Sequence, residues 1–131
     1  MSKGGSLLMK HIVVVDDDKE IREIITFALG HSGFEVVAAS NGAQLQSLLA
    51  TQLPDLILLD VMMPGQDGYQ IFYRLRTDPL TRAIPVIIMT AHAEDIYARI
   101  SHDLGAIHLT KPFHPLAMVE KVKSLLAERE P

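Results

Sequence analysis

Residues 56–68, LILLDVMMPGQDG, run four aliphatic side chains straight into one carboxylate, Asp60, and then break at Pro64 and Gly65. A charge at the end of a strand covered on both faces has to be paired or put to use. Other polar residues end other apolar runs in the same way. Asp16, Asp17 and Asp18 follow residues 11–15, Thr90 follows 86–89, and Lys111 closely follows 107–109. Carboxylates that converge repel one another unless they share a proton or hold a cation, and oxygen-only ligands suit a hard ion such as Mg2+. With Lys111 as a second positive charge and Thr90 as a hydroxyl donor, the set can bind phosphoryl oxygens while an oxygen nucleophile attacks in line. Asp60 is the candidate nucleophile.

Something must bring these groups together. Five short apolar runs recur: HIVVV (11–15), EVVAA (35–39), LILL (56–59), VIIM (86–89) and IHL (107–109). Most lack alternation, as parallel strands covered on both faces should. Between them lie stripes of helical period. Ile21, Ile24, Ile25, Ala28 and Leu29 stand behind Asp18, a suitable N-cap, with Gly33 just past the end. Leu45, Leu48 and Leu49 form a second stripe, ended by Pro54, and Ile71, Phe72 and Leu75 a third. Ile96, Ile100 and Leu104 form a fourth, closed by Gly105, while Pro115 opens a last helix that turns Leu116, Val119, Val122 and Leu126 inward. Five strand and helix alternations predict a parallel sheet with helices on both faces. In such a sheet ligands bind beyond the carboxyl ends of the strands, where the acids, Thr90 and Lys111 all fall.

Each residue has a plainer reading when taken singly. Asp18 by itself is a helix cap, and a lone Thr90 or Lys111 says nothing. Asp60 by itself is as well explained as a turn residue. The concurrence at four strand ends is what carries the functional reading. The six histidines, His11, His31, His92, His102, His108 and His114, contain no i,i+4 pair on a helix and do not read as a metal site. His31, near the end of the first helix, suits the negative end of its dipole.

The chain has 131 residues and 48% hydrophobic content, enough for one compact core. Twelve basic against sixteen acidic residues give a net charge of -4, with no basic stripe to follow a phosphate backbone, so direct nucleic-acid binding is not expected. The absence of cysteine removes disulfides and thiolate metal sites and agrees with a cytoplasmic location. No apolar segment is long enough to span a membrane. Residues 1–9 lack the apolar region of a secretory signal and read as a disordered leader or expression remnant, leaving a single domain over 10–128.

VVVDDDKEIREII, LLDVMMPGQDG, IMTA and TKPF, in that order, resemble the four sequence blocks of receiver domains of two-component response regulators, and the likeness runs from about His11 to Leu126. The resemblance implies a flavodoxin-like, doubly wound sheet of five strands in order 2-1-3-4-5 with five helices, the order the chemotaxis members of this family share. It implies that Asp60 receives a phosphoryl group from the phosphohistidine of a sensor histidine kinase or phosphotransfer protein, and that the domain then switches an output lying outside this chain. It implies that Asp17 ligates Mg2+ directly, that Asp16 holds it mainly through water, and that the backbone carbonyl of Met62 is a further ligand beside Asp60. Thr90 and Lys111 would each bind a phosphoryl oxygen, Lys111 preceding a Pro112 that in this family usually follows a cis bond. Gly68 would permit a tight turn in the loop after the phosphoacceptor.

The sequence departs from the family pattern in two places. The switch position three residues before the Lys is usually Tyr or Phe, and here it is His108. The Gly105 to Lys111 stretch is one residue shorter than in many members and lacks the acidic pair found there in winged-helix transcription factors, which argues against dimerisation in their manner. Met62 and His92, two residues after Asp60 and Thr90, are the positions expected to tune self-dephosphorylation. Met62 shields, and a neutral His92 at the start of the fourth helix either activates water or simply faces solvent.

Two other functions use similar residues. A phosphohydrolase of the haloacid dehalogenase type also takes an Asp nucleophile, a hydroxyl, a Lys and Mg2+, but places an acid two residues after the nucleophile, where Met62 cannot donate a proton. A flavodoxin-like electron carrier needs a hydroxyl-rich phosphate loop after the first strand, and DDDKE would repel the flavin phosphate. The expectation is therefore a signalling domain and not an enzyme.

Overall fold

The structure, a computed structural model, describes residues 10–65 and 67–128. The leader expected over 1–9 lies outside the described residues. Strands and helices alternate without exception: β1 (His11–Val15), α1 (Lys19–His31), β2 (Glu35–Ala39), α2 (Gly42–Thr51), β3 (Leu56–Asp60), α3 (Gly68–Thr77), β4 (Val86–Thr90), α4 (Ile96–Asp103), β5 (Ile107–Thr110) and α5 (Pro115–Glu128). All strand pairs are parallel and the order is β2-β1-β3-β4-β5. Strand order reverses beside β1 and β3, so the crevice at the carboxyl edge opens between Asp16 and Asp60.

The apolar runs divide between two cores by strand parity. Val13, Val15, Ile57, Leu59, Val86 and Ile88 face α2 and α3, packing with Leu45, Ile71, Phe72 and Leu75. Ile12, Val14, Leu56, Leu58, Ile87 and Met89 face the other way, against Ile25 and Leu29 of α1 and Met118, Val119, Val122 and Leu126 of α5. A strand buried on both sides needs both sets, which is why the sequence shows no alternation there.

Local signals hold the helices. Asp18 caps α1, its side chain accepting from the backbone N–H of Glu20 and Ile21, and Asp67 caps α3 through Tyr69 and Gln70. Asp95 caps α4 and Asn41 caps α2. His31 closes α1, with its ring 4.4 Å from that of Phe27.

Several expectations need correction. The edge strand β2 exposes Glu35 and Ala38, because no second strand covers its outer side. Leu116, expected inward, is 67% exposed, because it lines an open groove with Ile24 and Phe27 of α1 instead of facing the sheet. Ile24 also points outward from α1. On α4 the stripe Ile96, Ile100 and Leu104 faces out as well, and the helix is seated instead by the small residues Ala98 and Ser101. Gly68 opens α3 instead of making the turn, and the positive φ of the loop belongs to Gly65, at 72°. What Gly68 provides is closeness. A Cβ there would stand 2.8 Å from the Asp60 carbonyl oxygen and 2.9 Å from Val61 Cβ, with Val61 Cα nearer still. His92 lies four residues before α4, in the β4–α4 loop.

Candidate functional site

Asp60 is the last residue of β3, and Asp16 and Asp17 follow β1 directly. Carboxylate oxygens of the three lie within 4.8 Å of one another. Asp16 and Asp60 are buried and Asp17 is exposed, so the cluster opens to solvent on one side. The backbone orients both buried acids. Asp16 Oδ1 accepts from Asp18 N–H at 2.9 Å, and Asp60 Oδ1 accepts from Met62 N–H at 2.9 Å. Arg22, on the first turn of α1, braces the loop by donating to the Asp16 carbonyl oxygen at 2.8 Å.

Lys111 reaches into the cluster from beyond β5. Its Nζ lies 2.9 Å from Asp16 Oδ2 and 3.6 Å from Asp60 Oδ2. The loop that carries it is held by Lys111 N–H donating to the Thr90 carbonyl oxygen at 2.9 Å, and the Lys111–Pro112 peptide bond is cis. Thr90 ends β4, and its buried hydroxyl oxygen accepts from His92 N–H at 3.0 Å.

Electrostatics follow from this crowding. Burial pushes the Asp60 carboxyl up; Met62 N–H opposes this, Asp16 adds to it, and Lys111 opposes it, with a net pKa of about 6. Burial pulls the Lys111 ammonium down, but the hydrogen bond and charge of Asp16, with Asp60 behind, more than reverse it. Two carboxylates compete here for one ammonium, so negative charge remains for a further cation. The donors are all oxygens, which fits Mg2+ in the chemistry of the set.

The structure thus brings together Asp16, Asp17, Asp60, Thr90 and Lys111, with Met62 over them. Met62 is 47% exposed, and its Sδ accepts from Ala91 N–H at 3.5 Å, bridging from the β3 loop to the β4 loop. His92 is exposed, joined to Thr90 through its backbone. His108 is set apart. Its Nε2 lies 3.0 Å from Ser101 Oγ on α4, its ring stacks with that of His102, and burial followed by the charge of His102 lowers its pKa.

Two participants escaped the sequence reading. Tyr69, on the first turn of α3, buries a hydroxyl with no hydrogen-bond partner of good geometry, yet the Thr90 hydroxyl stands close enough to pull its pKa down. Burial first, and then the charge of Asp95, outweigh that pull and leave the phenol raised. The ring at the expected switch position, His108, meets Ser101 of α4. Tyr69 has no local signature, and Arg22, reaching six residues back to a backbone carbonyl, carries none in its residue type. Residue 69 does follow the Asp67 cap, whose side chain accepts from its backbone N–H.

The family model of the response regulator receiver domain matches residues 12–123. The chain belongs to that family. Among its relatives, the phosphate regulon transcriptional regulatory protein PhoB of Pseudomonas aeruginosa is 40% identical over 123 residues, covering 93% of this chain and 54% of that protein. The chain spans about half the length of the curated relatives it matches. Among solved receiver domains, that of a DNA binding response regulator protein from Colwellia psychrerythraea is 31% identical with a TM-score of 0.81, covering 90% of this chain and 98% of that one. The signal receiver domain of a histidine kinase from Syntrophus aciditrophicus is also 31% identical, with a TM-score of 0.82 and 92% of both chains covered. The receiver fold and family are those the motifs implied, and the hydrolase alternative gains no support.

Proposed function

We propose that this receiver domain accepts a phosphoryl group on Asp60 from the phosphohistidine of a sensor histidine kinase or phosphotransfer protein, in a Mg2+-dependent step, and thereby controls an output outside the chain. The observation that carries this reading is the placement of Lys111 between Asp16 and Asp60 with a third carboxylate, Asp17, open to solvent. Asp16, Asp17, Asp60 and the Met62 carbonyl would hold Mg2+, which when bound neutralises phosphoryl charge. Asp60 then supplies the oxygen that forms the new bond to phosphorus as the bond to the donor nitrogen breaks, the electron pair leaving with the imidazole. Met62 N–H keeps the Asp60 carboxylate oriented during attack. Lys111 and Thr90 each neutralise or donate to a phosphoryl oxygen, positions that only matter once that group arrives.

The domain works as a switch and not as an enzyme turning over external esters. No acid stands two residues after Asp60 to protonate an ester leaving group, because Met62 is there. Movement of the Thr90 hydroxyl toward the phosphoryl group would change what Tyr69 meets, and so the packing under α4. His108, held by Ser101, reports on α4 from the β5 side. The outward stripe of α4 offers a surface for the output. Among described residues no helix is long and apolar enough to cross a membrane. The proposed location is the cytoplasm, as the partner kinase's phosphohistidine requires access to the site.

Incubation with acetyl phosphate and Mg2+, followed by intact-mass spectrometry, tests the proposal. One added phosphoryl group is expected in the wild type and none in Asp60→Asn. Undiminished labelling of the Asn variant would refute it.

A further inference from the structure

Methionine 62 differs from the other methionines described. Met63, Met89 and Met118 are buried in the two cores, whereas Met62 is 47% exposed, its backbone N–H bonded to Asp60 Oδ1 and its sulfur 3.5 Å from the Ala91 backbone nitrogen in the β4 loop. Thioethers are oxidised according to their access to the oxidant. A sulfur at the rim of the site, two residues from Asp60, is reachable by a small peroxide while the core sulfurs are not.

We propose that Met62 is a peroxide-oxidised modification site that shortens the life of phospho-Asp60, an inference that rests on the phosphoacceptor reading above. The reaction moves one oxygen atom. The sulfur lone pair attacks a hydroperoxide, the O–O bond breaks as the S–O bond forms, and the sulfur loses two electrons. The second peroxide oxygen leaves with its proton as water or an alcohol. No protein group has to give up a proton.

The consequence follows from what the side chain covers. A thioether is apolar and only a weak acceptor, so over the acyl phosphate it excludes water without orienting it. A sulfoxide keeps similar bulk and adds a polar oxygen that accepts hydrogen bonds strongly. With the sulfur between the β3 and β4 loops, that oxygen can take a hydrogen bond from an incoming water, which the thioether holds only weakly. One ordinary hydrogen bond of this kind corresponds to about a fivefold faster decay. The effect is reversible, because sulfoxide reductases return the thioether using a dithiol.

The test uses the full chain treated with limiting hydrogen peroxide, then peptide mass mapping, phosphorylation with acetyl phosphate and Mg2+, and measurement of phosphoryl loss after donor removal. Oxidation is expected at Met62 ahead of Met63, Met89 and Met118, with the phosphoryl half-life shortened about fivefold. Treatment with methionine sulfoxide reductase and dithiothreitol should restore the original half-life. In Met62→Leu, peroxide should leave the half-life unchanged. Oxidation that spares Met62, equal half-lives before and after peroxide, or an undiminished peroxide response in Met62→Leu would each overturn the inference while leaving the phosphoacceptor reading intact. Failure of the untreated protein to take up a phosphoryl group would instead refute that reading, and this inference with it.

Discussion

The ammonium of Lys111 lies 2.9 Å from Asp16 Oδ2 and 3.6 Å from Asp60 Oδ2, so it serves both buried acids and is nearer the one that is not the proposed phosphoacceptor. Removing it leaves Asp16, with no exposed surface, facing Asp60 without a counter-charge. Lys111→Ala is therefore expected to cost about 2 to 4 kcal/mol of stability without metal, most of it recovered in excess Mg2+. Mg2+ affinity should be equal or tighter, and phosphorylation slower. Denaturation with and without Mg2+, beside acetyl phosphate labelling, checks this. Weaker metal binding with normal labelling would reverse the assigned roles.

Asp60 makes the metal-free fold less stable as pH rises. Its folded pKa of about 6 lies above the ordinary 3.8, so between those values the folded chain keeps a proton that the unfolded chain has released. The stabilisation is complete below the lower value and is lost as pH climbs through the higher one. Asp60→Asn removes the charge and keeps the shape, so at about pH 7.5 without metal it should exceed the wild type by on the order of 1–3 kcal/mol. The gap should close toward about pH 4. Urea unfolding at both pH values measures it, and an Asn variant less stable at the higher pH contradicts it.

Mg2+ binding carries the opposite sign. The metal needs the carboxylate ionised, so affinity should fall as pH drops below about 6. With no Trp in the chain, amide NMR shifts of Asp17, Asp60 and Met62 on titration provide the readout. Affinity that stays flat from about pH 5 to 7.5 would place the metal away from Asp60.

Gly68→Ala tests the support under the site. The new methyl group meets backbone atoms of Asp60 and Val61, which cannot rotate aside as a side chain would. A loss of about 1–3 kcal/mol is expected, with slower phosphorylation even where the fold persists, because Asp60 must shift. Wild-type stability and labelling rate together would show that the close approach is not required.

His92 offers an imidazole at the edge of the β4–α4 loop, tied to Thr90 through its backbone N–H. If the ring takes a proton from the attacking water, His92→Ala should lengthen the half-life of phospho-Asp60, read as phosphoryl loss after donor removal. An unchanged half-life in the variant leaves His92 as a solvent-facing residue.

How much of this was legible in the chain depends on the range of each interaction. Asp18 as a cap, Pro115 as a helix opener and the five apolar runs act within a few residues, and the structure contains them where the sequence places them. The strands extend one residue further, to Asp60, Thr90 and Thr110, because their backbone groups stay in the ladder although their side chains are polar. The outward turn of Ile96, Ile100, Leu104 and Leu116 was not legible. A helical stripe shows that a helix has an apolar face, but says nothing of whether that face meets the sheet or solvent.

For the site, sequence alone determined the residue types and their positions at strand ends, since the alternation of elements forces every strand's carboxyl end to one edge. From that follow the acids, the hydroxyl and the Lys, and with the four motifs the family. Tertiary structure decided the partnerships. It set Lys111 nearer Asp16 than Asp60, joined His108 to Ser101 of α4, and left Met62 alone among the described methionines in reach of solvent. These depend on distances between elements up to 95 residues apart, where packing of side chains chooses among arrangements that one-dimensional spacing leaves equal.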